Sequence, residues 1–243
     1  MVPRLYMHFL RRLFRPGRVI GLAALAAAPG VIFWLLTTDT RTNEVTLLAE
    51  TAGGASITFA LAALILTAAT LRDERDAGTL PYIYLRPYSR LRMATTALLA
   101  AMTAALLVGL AGWLATALAV ASNGLPFTSA LRVLVLYAVA AIGYAAIFVP
   151  IGYLVPRALL VGLAYLVVWE QIIARAVEGL SQTSVWRIGL SLYADIEPAS
   201  GSVVDEMLGS VAPGWGGALV KIVALCVLGT ALLTWALRHR DAV

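Results

Sequence analysis

"RDERDAGTLPYIYLRPYSRLRM" runs from Arg72 to Met93, and its reading decides the fold. Eight of its residues are charged, in a sequence of which 13% is charged. Two of the most apolar stretches of the chain flank it, Thr51–Leu71 before and Met93–Leu131 after. Unpaired charge is costly in hydrocarbon, so the block marks a place where the chain leaves a bilayer and turns back into it. Its order is that of a short charged helix, Arg72–Ala77, a break at Gly78, an aromatic second piece, Tyr82–Leu85, and a corner at Pro87.

Composition agrees with a membrane protein. The chain has 243 residues, 61% of them hydrophobic, and a mean hydropathy of +0.88. Soluble domains are nearer half apolar and a quarter charged. One crossing needs about 20 apolar residues, because each adds about 1.5 Å across roughly 30 Å of hydrocarbon. Uncharged runs, split where Ser122-Asn-Gly-Leu-Pro126 signals a turn, predict six spans at about residues 19–38, 51–71, 93–121, 132–155, 157–176 and 217–237. The expectation is an all-α membrane protein with one transmembrane domain over 1–243, a polar connection at 72–92 and an outer loop at 178–216.

Basic residues give the orientation. With the N-terminus inside, 13 Arg fall on the inner side, from Arg4 through the Arg72–Arg92 block to Arg240. Five cations fall outside: Arg41, Arg132, Arg175, Arg187 and Lys221. Loop cations favour the cytoplasm, so both termini are expected there. The net charge of +5 therefore reports topology, and no nucleic-acid partner is expected, because the cations form no separate soluble domain.

Residues 2–17 read as an amphipathic helix lying in the membrane interface. Leu5, Tyr6, Met7, Phe9, Leu10, Leu13 and Phe14 share one face, and Arg4, His8, Arg11, Arg12, Arg15 and Arg18 the other. Pro16-Gly17 is expected to break it before the first span. "RRLFR" at 11–15 imitates a twin-arginine signal, but the apolar run continues through Val31–Leu36, longer than an export-signal core, so an uncleaved first span is expected. The loop at 178–216 carries Trp186, Tyr193 and Trp215, and reads as short helices on the outer surface before span six.

Several chemistries are excluded. The one lysine, Lys221, precedes Ile222, so no Walker A phosphate loop can form on this chain. The histidines are His8 and His239, one at each end, which removes an intramembrane HExxH zinc site and a Ser–His dyad. No aspartate lies in a predicted span. Neither a metal nor a catalytic residue is expected, and transport or a structural, pore-forming role remains. Cys226, alone in the sequence, reads as a packing residue. Glu170 is the one carboxylate within an apolar span, about 20 Å along from Arg157. It is either functional, even the coupling group of an ion-driven carrier, or interfacial.

"E-x-x-x-G-T-L" followed by "P-x-S-R" resembles the type 2 ABC exporter permease family, on Glu74, Gly78, Thr79, Leu80, Pro87, Ser89 and Arg90. Two positions depart from that pattern: Pro81 where the family often has an acidic residue, and Tyr88 where it usually has an aliphatic one. The resemblance implies a bacterial inner-membrane permease that is not itself an enzyme. It implies a second permease copy or relative beside it, and a separate ATPase subunit that binds ATP and Mg. The 72–92 segment would be the helix that couples to that ATPase. Glu74 and Asp76 would pair with it, Gly78 would give the turn, and Tyr82, Ile83 and Tyr84 would anchor it. By the same resemblance spans two and five would line the substrate path, with Thr58, Phe59, Tyr165, Trp169 and Glu170 along it. An apolar interior would suit a hydrophobic or amphipathic cargo. The alternatives are a pore-forming, structural or immunity protein that needs no ATPase, and a carrier that uses Glu170.

Overall fold

A computed structural model describes residues 2–37, 44–85, 88–176, 182–196 and 214–239. Among them all regular structure is helical. Helix α1 (Val2–Leu13) is followed by α2 (Pro16–Thr37), α3 (Glu44–Thr67), α4 (Ala69–Asp76) and α5 (Leu80–Tyr84). Then come α6 (Arg90–Ser122), α7 (Phe127–Leu154) and α8 (Ala158–Ala164), the last running into a π-helical segment, π1 (Tyr165–Ile173), and a single turn, α9 (Ala174–Ala176). Helices α10 (Val185–Ile196) and α11 (Gly214–His239) complete the order.

Five helices are long and apolar enough to cross a membrane: Pro16–Thr37, Gly53–Asp76, Arg90–Ser122, Phe127–Leu154 and Gly214–His239. The fifth predicted span, 157–176, differs. Its apolar helix is the shorter Ala158–Ile173. The seven residues of α8 and nine of π1 reach about 24 Å at the α-helical rise, less than the roughly 30 Å of hydrocarbon. Hydropathy sees the apolar run but not the change to π-type hydrogen bonding within it.

The turns follow from local chemistry. At the end of α4 the Gly78 N–H bonds to the Arg75 carbonyl at 3.0 Å and the Thr79 N–H to the Glu74 carbonyl at 3.0 Å. That is a Schellman motif, and it needs the left-handed backbone that Gly78 supplies at φ +65°. The end of α6 repeats it: Gly124, at φ +68°, bonds to Ala121 and Leu125 to Val120. Ser89 then caps α6, its side chain accepting from the Arg92 N–H at 3.3 Å. Pro16 was expected to break the helix; instead it opens α2, where a missing N–H costs nothing. The break falls at Phe14-Arg15.

Helix α6 is the hub, packing against α1, α2, α3, α7 and α11. Its 33 residues extend about 50 Å, well beyond the hydrocarbon, and its first turns form a ledge. Against that ledge lies α1. Leu5 and Phe9 are buried with Met93, Ala94, Ala97, Leu98, Leu80 and Ile83, and Tyr6 donates to the Thr103 hydroxyl at 2.8 Å. Most of the apolar face of α1 is thus covered by protein. An apolar stripe fits either surroundings, and the extension of α6 supplies the protein one.

Small residues bring the helices together. A Cβ on Gly152 would lie 2.1 Å from the Ala68 carbonyl oxygen, so α7 touches the α3–α4 junction backbone to backbone. Gly152→Leu should therefore lower stability by about 1–3 kcal/mol or force the helices apart. Gly54, with nothing within 4 Å of its built Cβ, supplies the control in Gly54→Ala. Melting of the detergent-solubilised protein checks this, and equal midpoints for the two variants would refute the close contact.

Candidate partner-coupling site

The charged block divides into an inward and an outward face. Inward, Glu74 is fully covered. The His8 imidazole meets its carboxylate at 3.0 Å, through Nε2 as donor because a carboxylate only accepts. Arg12 Nη1 donates to it at 3.1 Å, and the Thr79 hydroxyl donates to it as well. Arg12 also reaches the Asp73 carbonyl oxygen at 2.7 Å, and Arg18 pairs with Asp73 at 2.9 Å. Glu74 is thus a clasp within the chain, holding α1 to the end of α4. Buried as it is, it has no surface to offer a partner, which replaces the expected direct pairing across an interface.

The second piece is sorted in the same way. Leu80 and Ile83 are buried on the ledge of α6 and α1. Tyr84 is half-buried; its hydroxyl meets that of Tyr153 at 3.1 Å and lies 3.4 Å from the Leu237 carbonyl, tying α5 to α7 and α11. Burial, with the Tyr153 hydroxyl beside it, pushes the Tyr84 phenol well above its ordinary range, so it stays a neutral hydrogen-bonding group. The Arg90 guanidinium sits 3.7 Å over its ring. Arg75 Nη1 donates to the Tyr153 carbonyl at 3.0 Å.

The outward face is small. Tyr82 is 72% exposed and Leu85 83%. Asp76 points out too, shared with Arg72 at 3.3 Å in an i,i+4 pair. Ser89 is exposed and its side chain is used as the cap of α6. Pro87 lies outside the described residues. The structure covers Glu74 and Ile83 and half-buries Tyr84, where direct contact with a partner is expected of all three, and it adds His8, Arg12 and Tyr153, which the sequence reading does not single out. A signal for two of these was present: His8 and Arg12 are four apart, hence on one helical face.

The residues expected along a substrate path are partly brought together. Phe59 is buried in the core, its ring edge-on to Tyr137 with centroids 5.0 Å apart. Thr58 and Trp169 are half-buried. Tyr165 packs edge-on to Phe148 and donates to Glu170 at 3.3 Å. Glu170 is buried and accepts from the Ser184 hydroxyl and from the Val185 N–H at 3.0 Å. Ser184 in turn caps α10, accepting from the Arg187 N–H at 3.2 Å. The carboxylate of π1 therefore sits at the N-terminus of α10, where orphan N–H groups and the helix dipole favour an anion. No group of three or more His, Cys, Asp or Glu able to hold a metal occurs among the described residues.

A helical bundle with five helices long and apolar enough to cross a membrane defines a polytopic membrane protein, and comparison of sequences gives its family. Residues 15–170 match the family model described as ABC-2 family transporter protein. The chain belongs to that family, and it is a multi-pass membrane permease. No curated individual protein matches it.

Proposed function

We propose that this chain is the membrane-spanning subunit of an ATP-driven bacterial exporter, moving a hydrophobic or amphipathic substrate out of the cytoplasm. ATP and Mg would be bound by a separate ATPase, since this chain has no Walker A lysine. Two permeases, identical or related, would form the pathway in the cytoplasmic membrane. Ala158–Ala176 would serve as a short fifth crossing, bringing the total to six, and the split of basic residues supports both termini inside. Thr58, Tyr165 and Trp169 remain the proposed lining of the path.

One observation carries the reading: residues 72–85 form an exposed apolar tip, Tyr82 and Leu85, on a mount tied to α1, α7 and α11. A rigid mount is what transmits a partner's motion as a tilt of helices. Truncating a buried aromatic anchor typically costs about 2 kcal/mol, roughly a thirtyfold loss of affinity. Tyr82→Ala with Leu85→Ala should thus strip a co-expressed partner ATPase from the co-purified complex. Arg72→Ala, which loses only an exposed pair worth about 0–1 kcal/mol, should not. Full ATPase recovery with the double variant would remove the docking reading.

A further inference from the structure

The stretch from α1 to the first turn of α2 carries more cations than the chain itself uses. Arg12 and His8 reach Glu74, and Arg18 reaches Asp73. Among the described residues Arg4, Arg11 and Arg15 make no salt bridge, and α1 contains no acidic residue. Arg4 and Arg11 are exposed on the side of α1 away from buried Leu5, Phe9 and Leu13, and Arg15, exposed too, follows in the link to α2. A surface groove of about 460 Å³ runs along this face, lined by Pro3, Arg4, Met7, His8 and Arg11. Met7, 43% exposed, puts an apolar side chain among the cations.

Position determines what such a face meets. Only Phe14 and Arg15 separate α1 from α2, a helix long and apolar enough to cross a membrane. The groove is therefore held at the level where α2 enters the bilayer. We infer that the outer face of α1 is a binding site for the phosphodiester headgroup of an anionic phospholipid. Arg4 and Arg11 hold the phosphate, with His8 beside them, and Met7 meets the glycerol and upper acyl region. Arginine forks match phosphate geometry. This differs from an inserted interfacial helix, because most of the apolar face of α1 is already spent on α6. The site rests on placement in a bilayer and not on the ATPase reading.

The test uses the whole chain in nanodiscs of phosphatidylglycerol and phosphatidylcholine, followed by detergent extraction and mass spectrometry of the lipid retained. Wild type should retain phosphatidylglycerol preferentially. Arg4→Gln with Arg11→Gln should lose it roughly thirtyfold, since each cation near an anionic surface is worth about fivefold. Leu5, Phe9 and Arg12 are untouched, so hydrogen exchange over residues 2–13 should stay as in wild type, which separates lost binding from lost folding. Displacement of the lipid by millimolar glycerol phosphate would show a soluble phosphate site and overturn the lipid assignment. Equal phosphatidylglycerol retention by variant and wild type would overturn it as well. So would unchanged retention accompanied by loss of the co-expressed ATPase, which would make this face a protein contact.

Discussion

Replacing Arg12 with methionine is expected to cost about 3 kcal/mol or more, because it leaves the Glu74 carboxylate buried without its guanidinium. Glu74 is fully covered while Arg12 is 19% exposed, so solvent cannot take over the lost role. His8 and the Thr79 hydroxyl stay, which keeps the loss near the lower end of the range for a broken buried pair. At roughly 2–4 °C per kcal/mol, the melting midpoint of the solubilised protein should fall by about 6–12 °C. The double variant Arg12→Met with Glu74→Leu should recover most of that, since replacing a buried ion pair with apolar groups is often close to neutral. The single and the double variants together form a cycle that isolates the clasp from the rest of α1. A midpoint for Arg12→Met within a degree of wild type would mean that the clasp adds nothing to the mount. Recovery of stability without recovery of ATPase association would show that the charge itself, and not only the attachment of α1, is needed for coupling.

The clasp also shows what a linear sequence holds back. The helix–glycine–helix order of residues 72–85 was legible, because Gly78 after an Asp-Ala end and Ser89 before α6 are local signals. The turn at Asn123-Gly124 was legible for the same reason. Five of the crossings followed from the length of uncharged runs. What could not be read is which side of each short helix is covered, since that depends on partners far along the chain. Glu74 finds His8 and Arg12 across more than 60 residues, and Tyr84 meets Tyr153 and Leu237. The amphipathic pattern of α1 was clear, yet the pattern is the same whether the apolar face meets lipid or the ledge of α6. The fifth run hid more: the register change at Tyr165–Ile173 lies in backbone hydrogen bonds, and hydropathy does not report these.

Within that register change Glu170 provides the second large effect. Glu170→Ala should unfasten α10 while leaving the coupling block and its partner in place. The carboxylate accepts from Ser184, from the Val185 N–H and from Tyr165, and removing it orphans buried donors at about 1–3 kcal/mol each. Ser184 still caps the Arg187 N–H, so α10 should loosen at its first turn without unfolding outright. Hydrogen exchange over residues 185–196 should rise by one to two orders of magnitude, and protection of residues 69–85 should stay unchanged. Glu170→Gln separates structure from charge. Its amide oxygen can still accept from the Val185 N–H, but its NH2 cannot accept from the Ser184 hydroxyl, so an intermediate loosening is expected from a capping role. An ion-coupled carrier predicts another pattern: Glu170→Gln would abolish transport and its dependence on an ion gradient, with α10 as well protected as in wild type. The placement of the carboxylate at the start of α10 favours the first outcome. If α10 keeps wild-type exchange in both variants, Glu170 is not its fastener, and the carboxylate must be assigned a role in the substrate path.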